Sequence, residues 1–162
     1  MKTRAIFEDS KQNIWLGTEG KGLGIYVQSD QKDTIYTFKN QNGLHNSWIK
    51  SFAENPKTKQ VFIATTEGIY FTSSQPGFPQ NIKFNKIENQ LIPNRITQIC
   101  FNANGTLYFS SDKGIGEIIP NRSVSKNWAT TLIIEGNSFR NVTVKNNVLF
   151  AGSVDKGVLK ID

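Results

Sequence analysis

A short apolar run ending in a small residue occurs four times along the chain. The copies are Ile14-Trp15-Leu16-Gly17-Thr18, Val61-Phe62-Ile63-Ala64-Thr65, Leu107-Tyr108-Phe109-Ser110-Ser111 and Leu149-Phe150-Ala151-Gly152-Ser153. A polar turn follows each, then a glycine and an aliphatic residue: Gly22-Leu23, Gly68-Ile69, Gly114-Ile115 and Gly157-Val158. These glycines stand 46, 46 and 43 residues apart. An alternating segment precedes the first three runs, ending at Asp9, Asn55 and Asn102; in the fourth copy it shrinks to Val142-Thr143-Val144. The residues are β-branched or aromatic and the period is two, so each copy predicts strands joined by tight turns. Asn-, Gly- and Pro-rich clusters at 10–13, 55–58, 102–105 and 146–147 supply the turns. No stretch carries apolar residues at helical spacing over three turns.

Each repeat divides into strands A to D. A is the alternating segment, B the apolar run, and C begins after the glycine (23–27, 69–72, 115–119). D is the next apolar stretch (34–38, 82–87, 131–134). A period near 45 residues with four strands per repeat predicts an all-β fold of β-propeller blades, each of four antiparallel strands. Blades are expected over about 2–48, 49–95, 96–140 and 141–162, with the last lacking its D strand, so about 3.75 blades and a partial propeller. Gly17, Ala64, Ser110 and the Ala151-Gly152 pair provide small side chains where blades approach. Trp15, Phe62, Tyr108 and Phe150 fill the wedges between them.

Composition narrows the function. A net charge of +6 and a pI near 9.5 invite a nucleic-acid reading. The 19 Lys and Arg are scattered with no run of three, so a solvated basic surface is expected and no nucleic-acid partner. No apolar run approaches the ~20 residues of a membrane span, and the first residues lack the apolar core of a signal peptide. One cysteine, Cys100, and one histidine, His45, exclude a disulfide framework and a cluster of zinc ligands. No cofactor is implied. Cys100 falls in a strand and reads as core.

Ile6-Phe7-Glu8-Asp9, Ile14-Trp15-Leu16-Gly17-Thr18 and Gly22-Leu23 resemble the two-component regulator propeller repeat. The second copy departs from it, with Phe62 for Trp, Ala64 for Gly and Glu54-Asn55 for Glu-Asp. The resemblance implies seven-bladed propellers, commonly paired, in the periplasmic sensor half of hybrid histidine kinases, many from gut Bacteroidetes. Such receptors typically recognise oligosaccharides. The implied location is periplasmic or extracellular, within a larger receptor. The implied partners are an oligosaccharide ligand and either the remaining blades or a second copy of the chain, without membrane insertion by this chain. The length is too short for such a ring, so an excerpt of a longer receptor is expected first, self-pairing of two copies into about eight blades second, and a closed four-bladed monomer last.

Ligands of propellers sit where the D–A crossings and B–C turns meet. The crossings here hold His45, Asn46, Trp48, Asn94, Arg95, Arg140 and Asn141, and the turns hold Glu67 and Asp112. Aligning the copies places Trp48, Arg95 and Asn141 at one position. An indole plane, forked guanidinium donors and amides suit a saccharide, and an acidic sugar or sulfate would engage the arginines. No Gly-x-Ser-x-Gly elbow or phosphate loop is present, and Gly20–Gly24 precedes a strand. A non-catalytic sensing module is therefore expected. An interaction scaffold in a cell-surface or secretion assembly is the alternative, and a lyase or hydrolase, with His45 as the one acid–base candidate, is the least favoured.

Overall fold

The computed structural model describes residues 2–45, 48–73, 79–120 and 128–161. Blade 1 is the antiparallel meander β1 (Thr3–Glu8), β2 (Ile14–Thr18), β3 (Leu23–Val27) and β4 (Thr34–Phe38). Blade 2 is β5 (Ile49–Glu54), β6 (Val61–Thr65), β7 (Gly68–Thr72) and the short β8 (Phe84–Lys86). Blade 3 is β9 (Ile96–Phe101), β10 (Leu107–Ser111), β11 (Gly114–Ile119) and β12 (Ala129–Glu135). Blade 4 has three strands, β13 (Phe139–Lys145), β14 (Val148–Ser153) and β15 (Gly157–Ile161). The fold is an all-β partial propeller. Two strands differ from expectation: β8 is confined to Phe84–Lys86 within the expected 82–87, and β13 is a full inner strand from Phe139 to Lys145, not the fragment Val142–Val144. The polar residues of β13 hid it, because Arg140 and Thr143 are exposed while Phe139 and Val142 are buried.

Strand alternation assigns each blade two faces. In blade 1, Phe7, Trp15, Ile25 and Tyr36 are cross-strand neighbours that pack on Phe52 and Ile63 of blade 2. In blade 2, Phe62, Ala64 and Phe71 turn the other way, onto Ile99, Phe109 and Trp128 of blade 3. Cys100 and Tyr108 then face Val142, Leu149 and Ala151 of blade 4. Three wedges of the same design thus hold the array together. The wedge role expected of Trp15, Phe62 and Tyr108 holds. Phe150 lies in register with Thr143 and Lys160, on the side of blade 4 away from blade 3.

The two outermost faces meet nothing among the described residues. On blade 1, Ile6 pairs with Leu16 and is 73% exposed, and Ile35 is exposed on β4 at the other edge of the sheet. On blade 4, Val158 pairs with Gly152 and is 76% exposed.

The A–B turn explains the Glu-Asp…Trp pattern. The buried Asp9 carboxylate accepts the Lys11 and Asn13 backbone N–H groups, both at 2.9 Å, and the Trp15 indole N–H at 2.9 Å. It closes the turn and anchors the wedge aromatic together. Asn55 closes the next turn by accepting from Lys57 and Thr58. Its wedge residue is Phe62, which needs no acceptor. Blade 4 closes on Asn146-Asn147, both at positive φ (52° and 62°), in the two-residue hairpin that amides favour. The Asp-to-Asn and Trp-to-Phe departures in the second copy are therefore one correlated change.

Cys100 is half-buried on the blade 3–4 wedge, and burial pushes its thiol up to about 12. Desolvation disfavours the thiolate, so alkylation needs a pH far above neutral. Iodoacetamide near pH 8 is expected to label the folded chain over about a hundredfold more slowly than free cysteine. Mass spectrometry of timed aliquots checks this; labelling at the free rate would mean that the wedge is open.

Candidate functional site at the loop face

Register defines which residues of the four blades are equivalent. Thr3 pairs with Thr18, Ile49 with Thr65, Ile96 with Ser111 and Phe139 with Ser153. The residues just before these strand starts are Lys2, Trp48, Arg95 and Ser138. Asn141 is therefore not the counterpart of Trp48 and Arg95; Ser138 is. The misalignment follows directly from the hidden start of β13.

This position stitches the face together. Trp48 forms an isolated antiparallel bridge with Glu19 of blade 1, and its carbonyl accepts Thr66 N–H at 3.4 Å. Its indole is 44% exposed, with Lys50 Nζ 5.4 Å from the ring centroid. Arg95 has positive φ (58°), donates its N–H to the Thr66 carbonyl at 3.1 Å, and places its guanidinium 3.9 Å from the Asp112 carboxylate. Ser138 accepts Val154 N–H at 3.0 Å. Crossing and turn residues from adjacent blades thus meet at one face, as expected. Glu19 gathers Arg4 at 2.7 Å and Lys2 at 3.9 Å, and chiefly the Arg4 hydrogen bond holds its carboxyl below the usual range.

Two grooves flank the crossing that holds Asn94. The larger, about 850 Å³, lies between blades 2 and 3 and is lined by Glu67, Asn94, Lys86, Glu88, Gln90 and Trp128 among others. The buried Trp128 indole N–H, behind that wall, has no hydrogen-bond partner among the described residues. The smaller groove, about 420 Å³, is lined by Asp112, Leu91 and Glu135 among others. Of the expected residues, Glu67 and Asn94 therefore share a cavity, and Arg95 and Asp112 share an ion pair. Arg140 is exposed. Asn141 donates to Gln98 Oε1 at 3.0 Å, as part of a link between inner strands. His45 is exposed, and Asn46 lies outside the described residues.

Lys86 and Glu88 are not legible from the sequence because they precede the crossing, which starts at Gln90. Gln98 is not legible because only the true register makes Gln98, Ser51 and Asn141 equivalent. Ser51 Oγ accepts Ile99 N–H at 3.4 Å and Gln98 Oε1 accepts Val142 N–H at 3.3 Å, so this position ties β5 to β9 and β9 to β13. Among the described residues, no group of three His, Cys, Asp or Glu is placed to hold a metal ion.

Fold and face together define a class: blades of a β-propeller with their crossings and turns gathered at one opening. Within that class, residues 2–20 match the model of the two component regulator propeller family. The chain is similar to the extracellular domain of a protein described as a hybrid two component system of B. thetaiotaomicron. That likeness has a TM-score of 0.71 and 25% identity, over 98% of this chain and 21% of that one. PorZ, a surface component of the type-IX secretion system of Porphyromonas gingivalis, gives 0.73 at 15% identity, over 99% of this chain and 26% of its own. Virginiamycin B lyase of Staphylococcus aureus gives 0.68 at 14% identity, over 99% of this chain and 55% of its own. These last two likenesses show the fold. The chain spans about a fifth of the length of the B. thetaiotaomicron protein domain it resembles. No curated protein matches it.

Proposed function

We propose that the chain is a ligand-sensing part of the periplasmic or extracellular propeller of a two-component sensor. It binds a polar ligand, an oligosaccharide, at the loop face and performs no chemistry on it. The groove between blades 2 and 3 carries this reading. It sets carboxylates (Glu67, Glu88) and amides (Gln90, Asn94) around a concave wall of saccharide size. A sugar bridging the two blades would couple ligand occupancy to the angle between them. The similarity to an extracellular domain of a hybrid two component system supports the sensor assignment. The exposed apolar faces carrying Ile6 and Val158 are where further blades of the ring dock.

The test is a screen of neutral and acidic oligosaccharides, followed by calorimetry on the hits. Glu67→Ala with Asn94→Ala is expected to weaken binding by about tenfold, the cost of losing two hydrogen bonds to hydroxyls. Unchanged affinity would remove the groove from the site. A silent screen together with capture of a defined protein partner would replace sensing with scaffolding.

A further inference from the structure

The inner strand of every blade carries a β-bulge at the same place. Register shifts fall between Thr3 and Ala5, between Ile49 and Ser51, between Ile96 and Gln98 opposite Ser111 and Ser110, and between Phe139 and Asn141. The extra residues are Arg4, Lys50, Thr97 and Arg140. A bulge leaves its residue out of the ladder and re-aims its side chain, which is why bulges recur beside functional sites. All four lie at the loop-face end of the strands nearest the axis, and these strands neighbour one another in order.

The bulge geometry itself requires no charge. Thr97 shows this, since its hydroxyl is used within the fold, 2.8 Å from Ser110 Oγ and 2.8 Å from the Phe139 carbonyl. Yet the other three extra residues are cations. Among the described residues one carboxylate, Glu19, is set against them: it takes Arg4 at 2.7 Å and Lys2 at 3.9 Å and also feels the charge of Lys50, so one negative charge faces several cations. Lys50 sits over the exposed Trp48 ring. Arg140 is exposed and has no ion-pair partner among the described residues. The inner rim of the loop face therefore carries excess positive charge beside an aromatic plane.

We propose that Arg4, Lys50 and Arg140 form a cationic collar that binds the anionic groups, carboxylate or sulfate, of an acidic oligosaccharide, with Trp48 stacking on a sugar ring. The proposal rests on the loop-face sensing reading and specifies its ligand class. Guanidinium groups engage such oxygens in pairs, and Lys50 adds a point charge already seated on the indole.

Three saccharides of equal length test it by calorimetry with the whole chain: neutral cellohexaose, hexagalacturonate for carboxylate, and a heparin-derived hexasaccharide for sulfate. Binding of either acidic hexasaccharide, weakening steeply with added salt, is the expected result. Lys50→Ala with Arg140→Ala is expected to reduce that affinity by about tenfold or more, and Lys50→Arg with Arg140→Lys to retain most of it. Lys83→Ala with Lys145→Ala removes the same charge from elsewhere on the surface and is expected to change affinity by less than about twofold. Binding of the carboxylated or the sulfated chain alone supports the collar and names its anion. Equal losses in both double variants would overturn it in favour of nonspecific charge. Binding of cellohexaose alone would overturn the collar while leaving loop-face sensing intact. Binding of none of the three would overturn both.

Discussion

Asp9→Ala is expected to destabilise the chain by about 3 kcal/mol, and Trp15→Ala by about 4 kcal/mol, in urea unfolding. Asp9 is the acceptor for two backbone N–H groups, the Asn13 amide and the Trp15 indole, all between 2.9 and 3.0 Å. Both Asp9 and Asn13 are buried, so water does not replace the lost acceptor. Trp15 is 1% exposed and meets Phe52 at a ring-centroid distance of 6.0 Å, so its removal opens the wedge between blades 1 and 2. Blade 2 closes a turn one residue longer on the Asn55 amide, with Phe62 in the wedge. Asp9→Asn with Trp15→Phe is therefore expected to cost less than the sum of its single variants, because the amide closes the turn and phenylalanine asks for no acceptor. A loss below about 1 kcal/mol for Asp9→Ala would show that the turn is held by its backbone alone.

The blade pattern was legible wherever one strand face is buried. Val61-Phe62-Ile63-Ala64-Thr65 and Leu107-Tyr108-Phe109-Ser110-Ser111 alternate between two packed faces, and Ile14-Trp15-Leu16-Gly17-Thr18 has one packed face and one open one; in all three both halves of the pattern are largely apolar, so the period stands out. β13 was harder because only Phe139, Val142 and Val144 of its residues face the core, and the bulge at Arg140 breaks the alternation between the first two. That single extra residue concealed the strand start and put Asn141 in the place of Ser138. The loop face was legible as a set of segments, since crossings and turns follow from strand order. Which residues meet there was not, because Arg95 with Asp112, and Glu67 with Asn94, come together only through the packing of neighbouring blades. The collar has the same origin: a bulge leaves no mark in composition and emerges only when four registers are set side by side.

Gly17→Val and Gly152→Val occupy one position of the repeat, yet opposite outcomes are expected. A Cβ on Gly17 would lie 2.6 Å from Ile49 Cγ2 and 2.8 Å from Ile49 Cβ, both inside the blade 1–2 wedge. Ile49 is fully buried at a strand start and cannot withdraw without moving β5. Gly17→Val is expected to cost about 3 kcal/mol in thermal or urea unfolding, at the upper end of overpacking penalties. A Cβ on Gly152 would find only Asn141 Oδ1 at 3.6 Å and Asn141 Cβ at 3.7 Å, ordinary contacts within its own sheet. That variant is expected to change the stability of this chain by less than about 0.5 kcal/mol. The asymmetry is informative about the exposed face. If a further blade docks on blade 4 as blade 2 docks on blade 1, the residue equivalent to Ile49 comes to rest over Gly152. Gly152→Val should then leave the chain folded while preventing that blade from seating, measured as lost association with a propeller segment supplied in trans. Equal destabilisation by both substitutions in the chain alone would mean that the face around Gly152 is already covered, and Val158 would then resist surface labelling. A neutral effect on both folding and association would leave the glycine without a packing role and move the docking surface off blade 4.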